Sequence, residues 1–437
     1  MTKNQNDSQQ APKDNDDLIS ATVTVAPVIA PSSDTGQLPR HPKTSQRDRN
    51  IAFGVLMLGA MCLGLGQTIL FTILPPLARR IGLADIQVGM IFTVSALMWV
   101  IMSPVWGRRS DKIGRKPVIL LGVGMFSVSI AGIGCILHLS LKDSLSSLSI
   151  FILLVLFRSL HGLFSSAGPA ASQAYVADRT KPDERTSSLA GIAAAFGLGA
   201  TLGPGIGGTT VQFGPVIPLF IVSGIAILSF LTILRFLPER SRPLQRTNQP
   251  KLKVTDKRLR AALFYGVCGG VLMVLPIQLI GFYLIDILEL EEISASQVLS
   301  VVFMVSSIAA LFSQLVIIQR FKLPPSLLVW IAPPTIALGQ LIVALGSDIG
   351  TISFGMMITG LGTGMYFPAY NATISLRVNP EEQGAAAGLA NATGAIGYIF
   401  APVLAFGLYE ISPQTPFYFS ACLAVLLTVY ARLVLRT

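Results

Sequence analysis

The chain has 437 residues, 52% of them hydrophobic and only 12% charged, a composition that cannot supply the polar surface a water-soluble globule of this size needs. Lipid is therefore the expected solvent, and the fold class expected is an all-α integral membrane protein. The formal net charge of +10 reflects loop bases that orient the chain in a membrane, and it gives no support to a nucleic-acid partner.

Residues 1–50 are rich in Ser, Thr, Pro, Asn and Asp and carry no long apolar run, so a disordered cytoplasmic tail is expected. Their one apolar patch, Ala21 to Ala30, is interrupted by Pro27 and lies too far in for a signal peptide, which leaves insertion to the first helix. A hydrocarbon core about 30 Å thick needs roughly 20 apolar residues per helix. Six such runs follow: Ile51 to Leu74, Gln87 to Trp106, Pro117 to His138, Ser149 to Ala171, Ser187 to Val211 and Pro215 to Phe236. After a basic linker, 237–260, come Ala261 to Ile285, Ser296 to Ile318, Ser326 to Leu345, Gly350 to Ser375, Gly384 to Tyr409 and Pro413 to Val434. The expected organisation is twelve transmembrane helices in two six-helix bundles, 51–236 and 261–437.

Lys and Arg set the orientation. The loops after even-numbered helices hold twenty of them and those after odd-numbered helices three, Arg79, Arg80 and Lys142. By the positive-inside rule both termini are cytoplasmic, in a multi-pass protein of the cell inner membrane. With the bases of the two termini, the loops account for all but one of the 32 Lys and Arg residues. The exception is Arg158, near the membrane midplane in the fourth span. A charge there costs about 2.5 to 3.5 kcal/mol on insertion scales and normally faces a wet cavity or a partner; the alternative is satisfaction by carbonyls in a packed interior. Helical spacing places His161, Ser165, Pro169 and Ser172 on the same side.

No Asp or Glu lies deep in a span; the nearest, Asp178, Asp286 and Glu410, are at helix ends. Uncharged candidates for a cavity lining are Gln67, Gln173, Tyr175, Gln278, Gln314, Tyr366, Tyr370, Asn371 and Asn391. The four cysteines all fall in spans without paired spacing, which points to neither a disulfide framework nor a metal site. No phosphate-binding Gly-x-x-x-x-Gly-Lys-Ser/Thr loop and no catalytic cluster occurs, so no cofactor and no enzyme activity are expected.

The halves repeat at an offset of 198 residues. Pro182, Asp183 and Glu184 recur as Pro380, Glu381 and Glu382, and Pro204 as Pro402. The fifth span carries Gly191, Ala195, Gly199, Gly203 and Gly207 at every fourth position, a smooth ridge for close helix contact. The eleventh answers with Thr393, Gly397, Ala401 and Ala405.

Three motifs resemble those of the major facilitator superfamily, specifically its twelve-helix drug/proton antiporters, and the likeness covers essentially everything after residue 50. The loop after the second span, Gly107-Arg-Arg-Ser-Asp111-Lys-Ile-Gly114-Arg115-Lys116, is similar to the signature Gly-x-Leu-x-Asp-Arg-x-Gly-Arg-Lys/Arg, departing at Arg109 and Lys112. The fourth span resembles an Arg-x-x-Gln-Gly element as Arg158-Ser-Leu-His161-Gly162. The fifth matches Gly-x-x-x-Gly-Pro-x-x-Gly-Gly as Gly199, Gly203, Pro204, Gly207 and Gly208.

The resemblance implies a conformational latch in which Asp111 approaches the positive end of helix 11 near Gly384 while Arg115 pairs with carboxylates such as Asp178. In the second half the corresponding loop, Gln319 to Lys322, has lost the pattern. The fifth-span motif points to export rather than uptake, with Pro204 bending the helix and its glycines expected to permit close contact across the two halves. The partners implied are a small-molecule substrate, protons and the lipid bilayer, and the chain is expected to be a monomer. Alternating access by rocking of the halves about a midplane cavity is the expected mechanism.

His161 is the first candidate to carry the proton, since an imidazole changes charge near physiological pH, with an anion needed to offset the neighbouring Arg158. Asp178 is the second. A buried arginine without acids favours a neutral or anionic amphiphile, such as a carboxylate-bearing metabolite or siderophore, over a purely cationic drug. A proton-coupled uptake symporter of the same superfamily remains open as an alternative, as do a membrane sensor and a membrane enzyme.

Overall fold

The computed structural model describes residues 46–180, 182–239, 252–379 and 382–435, and among these it is built from helices without a strand. The tail before residue 46, the centre of the basic linker, and Pro380 and Glu381 lie outside the described residues. Twelve helices follow in chain order: α1 (Gln46–Arg80), α2 (Asp85–Ile113), α3 (Arg115–Ser140), α4, α5 (Pro182–Thr210), α6 (Ile217–Phe236), α7 (Arg260–Leu288), α8, α9 (Pro325–Leu345), α10 (Ile349–Ser375), α11 (Gln383–Tyr409) and α12 (Thr415–Val434). Helix α4 runs over Ser147–Leu160, a π-helical turn His161–Ser165, and Ala167–Arg179. Helix α8 runs over Glu292–Phe312, a second π-helical turn Ser313–Ile318, and Gln319–Phe321.

Several helices outrun their apolar runs; α1, expected over 51–74, begins at Gln46 and ends at Arg80. A helix satisfies its own backbone, so it can carry charged turns into the headgroup region without exposing unpaired groups. Among the described residues, ten of the twelve are long and apolar enough to cross a membrane. The two that fall short are α5 and α10, whose Gly, Ser, Thr and Asn residues lower the hydropathy while smoothing the surfaces they pack with.

Small residues set the packing within each half. A Cβ on Gly199 of α5 would lie 1.9 Å from the Met61 carbonyl oxygen of α1, and one on Gly64 of α1 would lie 2.1 Å from the Phe196 carbonyl oxygen. The equivalent crossing in the second half, at the 198-residue offset, puts Gly397 of α11 against Gly270 of α7 at 2.3 Å. Side-chain hydrogen bonds add to this: Ser127 of α3 donates to the Ser223 carbonyl of α6 at 3.1 Å, and the Gln340 amide of α9 donates to the Thr359 hydroxyl of α10 at 3.0 Å.

The halves meet where α1, α5, α7 and α11 end and α2 and α8 begin. Gly281 of α7 faces Pro75 of α1, Gly89 of α2 faces Phe406 and Pro402 of α11, and Gly208 of α5 faces Ser300 of α8. These cross-half contacts all sit at the end of the bundle that the distribution of bases assigns to the outside.

Candidate transport site

Arg158 is buried to 2% exposure. Its guanidinium lies over the Phe92 ring of α2, 5.2 Å from the centroid, and its one hydrogen bond among the described residues runs from Nη2 to the Gln67 side-chain oxygen of α1 at 3.5 Å. Nε and Nη1 are buried without a partner. No carboxylate meets it among the described residues. An uncompensated buried cation is costly, and the arrangement leaves two strong donors available to an acceptor that enters the site.

The π-helical turn begins one helical turn later, and such turns recur at functional positions. Gly162 lets it approach α2: an added Cβ would fall 2.3 Å from the Ser95 carbonyl oxygen and 2.8 Å from the Met98 side chain. The Leu163 carbonyl in the turn accepts from Trp106 Nε1 at 2.6 Å. His161 is thereby held between Trp99 of α2 and Phe126 of α3, ring centroids 5.5 and 5.6 Å away, with Nδ1 buried and unpartnered.

A cavity of about 500 Å³ lies toward the end opposite the cross-half contacts. Its walls are mainly apolar, from Leu56, Leu63 and Phe196 among others, and its polar members are Trp99, Ser172, Gln173 and Asn371. Asn371 brings α10 of the second half to a cavity otherwise formed by the first. Arg158 and His161 do not line it; Trp99 forms part of the wall on one side and touches His161 on the other.

The remaining cavity candidates fall elsewhere. Gln67 contacts Arg158. Gln278 is buried with neither amide atom hydrogen-bonded. Tyr366 and Tyr370, expected as lining, are instead in the packed core of the second half: Tyr366 stacks on Tyr265 at 4.8 Å and donates to its carbonyl, and Tyr370 pairs with the Thr393 hydroxyl at 2.5 Å. Large phenols fit there because Gly266 and Gly269 of α7 leave room for their hydroxyl ends. The side chain of Asn391 lies outside the described residues.

At the α2–α3 loop Arg115 is the hub. Its Nε donates to Asp178 at 3.0 Å, Nη1 reaches the Ser110 hydroxyl and the Gly107 carbonyl, and Nη2 pairs with Asp111. Lys116 donates its backbone N–H to Glu239 at 2.7 Å and its ammonium to the Leu234 carbonyl. Gly114 has φ +100, where a Cβ is strained, and Glu239 would press on one at 3.0 Å. The surroundings of Gly384 lie outside the described residues, so the approach of Asp111 to it is not placed.

The fifth-span motif divides into two faces. Gly199, Gly203 and Gly207 pack on α1 within their own half, and only Gly208, with Gly205 against Met304 at 3.7 Å, looks across to α8. The expectation that the motif glycines as a set serve the contact between halves is corrected: four-residue spacing keeps Gly199, Gly203 and Gly207 on one stripe, and that stripe faces α1. Pro204 is buried within α5.

One cluster was not singled out from sequence. Arg79 of α1 donates from Nε to Asp85 of α2 at 3.0 Å and from Nη2 to Asp286 of α7 at 3.0 Å, while the Tyr409 hydroxyl of α11 donates to Asp286 at 2.6 Å. Each residue alone reads as a loop or helix-end charge. The only available signal was that Arg79 is one of three bases on the expected outer side.

The family model for the Major Facilitator Superfamily matches residues 56–346 and 323–437. This chain belongs to that superfamily. As a facilitator-superfamily member it is a multi-pass membrane transporter, all-helical, with a small-molecule substrate. It is similar to Multidrug resistance protein 1 of Bacillus subtilis (strain 168), 24% identical over 384 residues, 85% of this chain and 93% of that one. Tetracycline resistance protein, class B, of Escherichia coli is 28% identical over 368 residues, 81% of this chain and 87% of that protein. Among solved structures, the human organic anion transporter MFSD10 superposes with a TM-score of 0.63 at 20% identity, covering 89% of this facilitator and 100% of that chain. The nucleoside transporter NupG superposes with a TM-score of 0.68 at 14% identity, over 88% and 98%. At these identities the structural likenesses establish the facilitator fold.

Proposed function

We propose that this protein is a secondary active exporter of a small amphiphilic molecule, drug-like or a neutral to anionic metabolite, working by proton antiport and alternating access. The observation that carries the reading is the buried Arg158–His161 pair, without a carboxylate partner, separated by Trp99 from a mainly apolar cavity. The apolar walls suit a drug-sized amphiphile, and the free Arg158 donors suit an acceptor or anion. Names of the relatives, multidrug and tetracycline resistance proteins, support export of foreign compounds, and the α5 motif supports export over uptake.

The contacts between halves at the expected outer end, with the cavity toward the other, correspond to a state closed outside and accessible from the cytoplasm. Rocking of 51–236 against 261–437 would exchange it for the opposite state. His161 is the proposed proton carrier, with Asp178 in the Arg115 network as a latch member. In this reading both termini are cytoplasmic and the protein acts as a monomer in the inner membrane.

Accumulation of a fluorescent substrate in inverted membrane vesicles tests direction and energy source together. Uptake into the vesicles that collapses with the proton gradient is expected. Uptake unaffected by collapse would remove proton antiport, and loss of substrate from preloaded vesicles would reverse the direction. In proteoliposomes His161→Ala is expected to abolish proton-driven transport; full retention would exclude His161 as carrier.

A further inference from the structure

A second concavity, of about 650 Å³, lies in the C-terminal half between α9, α10 and α12. Along α9 it is lined by Leu327, Trp330, Ile331, Pro334, Thr335 and Leu338, a single stripe at helical spacing that runs for about 16 Å at 1.5 Å per residue. Ile358 of α10 and Thr428 and Arg432 of α12 complete it. The stripe is apolar and open, with Leu338 at 52% exposure, and its length matches an extended acyl chain rather than a compact solute.

One end of the groove is chemically different. Arg432 lies in the last turn of α12 with its guanidinium over the Trp330 ring, 5.3 Å from the centroid. No carboxylate meets it among the described residues. An exposed planar cation on an aromatic face, at the end of a hydrophobic helix, is positioned for a phosphate.

Two prolines alter the helix backbone along this groove. Pro333 and Pro334 inside α9 have no N–H, so the carbonyls of Val329 and Trp330 each lose their ordinary helical donor. The Val329 carbonyl is buried and recovers a partner, the Tyr265 hydroxyl at 3.1 Å. Trp330 and Pro334 both line the groove. The Thr335 and Thr428 hydroxyls already donate to carbonyls of their own helices, Ile331 and Ala424.

We infer that this groove is a binding site for an anionic glycerophospholipid. The phosphate rests on Arg432, and one acyl chain follows the α9 stripe toward Leu338. Charge complementarity selects the lipid class, since a zwitterionic headgroup brings its own cation to Arg432. The site is separate from the transport cavity and does not depend on which molecule is transported.

The test uses full-length protein in which Trp99 and Trp106 are replaced by Phe, leaving Trp330 as the sole tryptophan, reconstituted into phosphatidylcholine vesicles. Trp330 fluorescence is quenched with phosphatidylglycerol or phosphatidylcholine brominated near the headgroup end of one chain. A preference of about fivefold for phosphatidylglycerol is expected from one basic residue at the anionic headgroup. Arg432→Gln should abolish the preference and Arg432→Lys, which keeps the charge, should retain it. Equal quenching by the two lipids in the Arg432 protein, or a preference unchanged in Arg432→Gln, overturns the proposal. So does absence of quenching by either lipid, which would show that lipid does not enter the groove.

Discussion

Arg79 on α1 and Asp286 on α7 stand 207 positions apart in the chain and pair directly across the two halves, with Asp85 and Tyr409 completing the cluster. Both side chains are partly exposed, at 34% and 27%, so solvent screening limits the pair to about 1 kcal/mol. That is roughly a fivefold change in a two-state ratio. Arg79→Ala should therefore open the end at which the halves meet about fivefold more often. The measurement is the thiol-labelling rate of a cysteine placed at Ser300, which is buried against Gly208 in the closed arrangement. An unchanged or slower rate would show that packing alone holds this end shut.

Gly162 and Gly197 offer a paired test of close approach. At Gly162 a Cβ would meet the Ser95 backbone at 2.3 Å, and at Gly197 it would meet nothing within 4 Å. Gly162→Ala should lower stability by about 1 to 3 kcal/mol through overpacking of α2 on the π-helical turn. Gly197→Ala should be neutral or stabilising by up to about 1 kcal/mol through helix propensity. Thermal unfolding in detergent compares the two, and equal effects would contradict the crossing geometry.

The two faces of the α5 motif separate stability from conformation. Gly199→Ala drives a Cβ to 1.9 Å from the α1 backbone within the same half, whereas Gly208→Ala meets the Ser300 side chain of the other half at 2.5 Å. The first should cost folding stability by on the order of a few kcal/mol. The second should leave the melting temperature nearly unchanged while raising labelling at the end where the halves meet. If Gly208→Ala instead destabilised the fold as strongly as Gly199→Ala, the division of the motif would be wrong.

Acidification should loosen the segment leading into α7. Arg258 donates to both Asp256 and Glu382, and these bonds hold the two carboxyls below their ordinary values of 3.8 and 4.5. A carboxyl lowered in the folded state contributes stability above its unfolded value and loses it as pH falls through the folded one. Protection against hydrogen exchange over 252–260, with the intrinsic pH dependence of amide exchange divided out, should thus be high at neutral pH and fall below the ordinary carboxylate range. Arg258→Gln should remove the pH dependence, and a profile identical in the two proteins would count against the pair.

The reading of α4 shows what was legible and what was not. Arg158 stood out because it is the one Lys or Arg deep inside a span, Arg235 and Arg432 lying in the last turns of theirs. Its partners Gln67 and Phe92, and the contact of His161 with Trp99, come from other helices and have no signature in sequence. Tyr366 and Tyr370 were misplaced for the complementary reason. A phenol in a span is polar enough to suggest a cavity, and only the glycines of α7 reveal that its hydroxyl is satisfied in the core.

Sequence by itself determined the solvent, the helix positions, the repeat of the halves and the superfamily motifs, because hydropathy and spacing are local properties fixed by lipid thickness and helical pitch. Tertiary structure alone decided that three motif glycines face α1 rather than the opposite half, that Trp99 separates His161 from the cavity, and that Arg79 closes on Asp286. Each of these depends on how each helix is turned about its axis, and in lipid that rotation is set by side-chain packing between helices rather than by any preference within one.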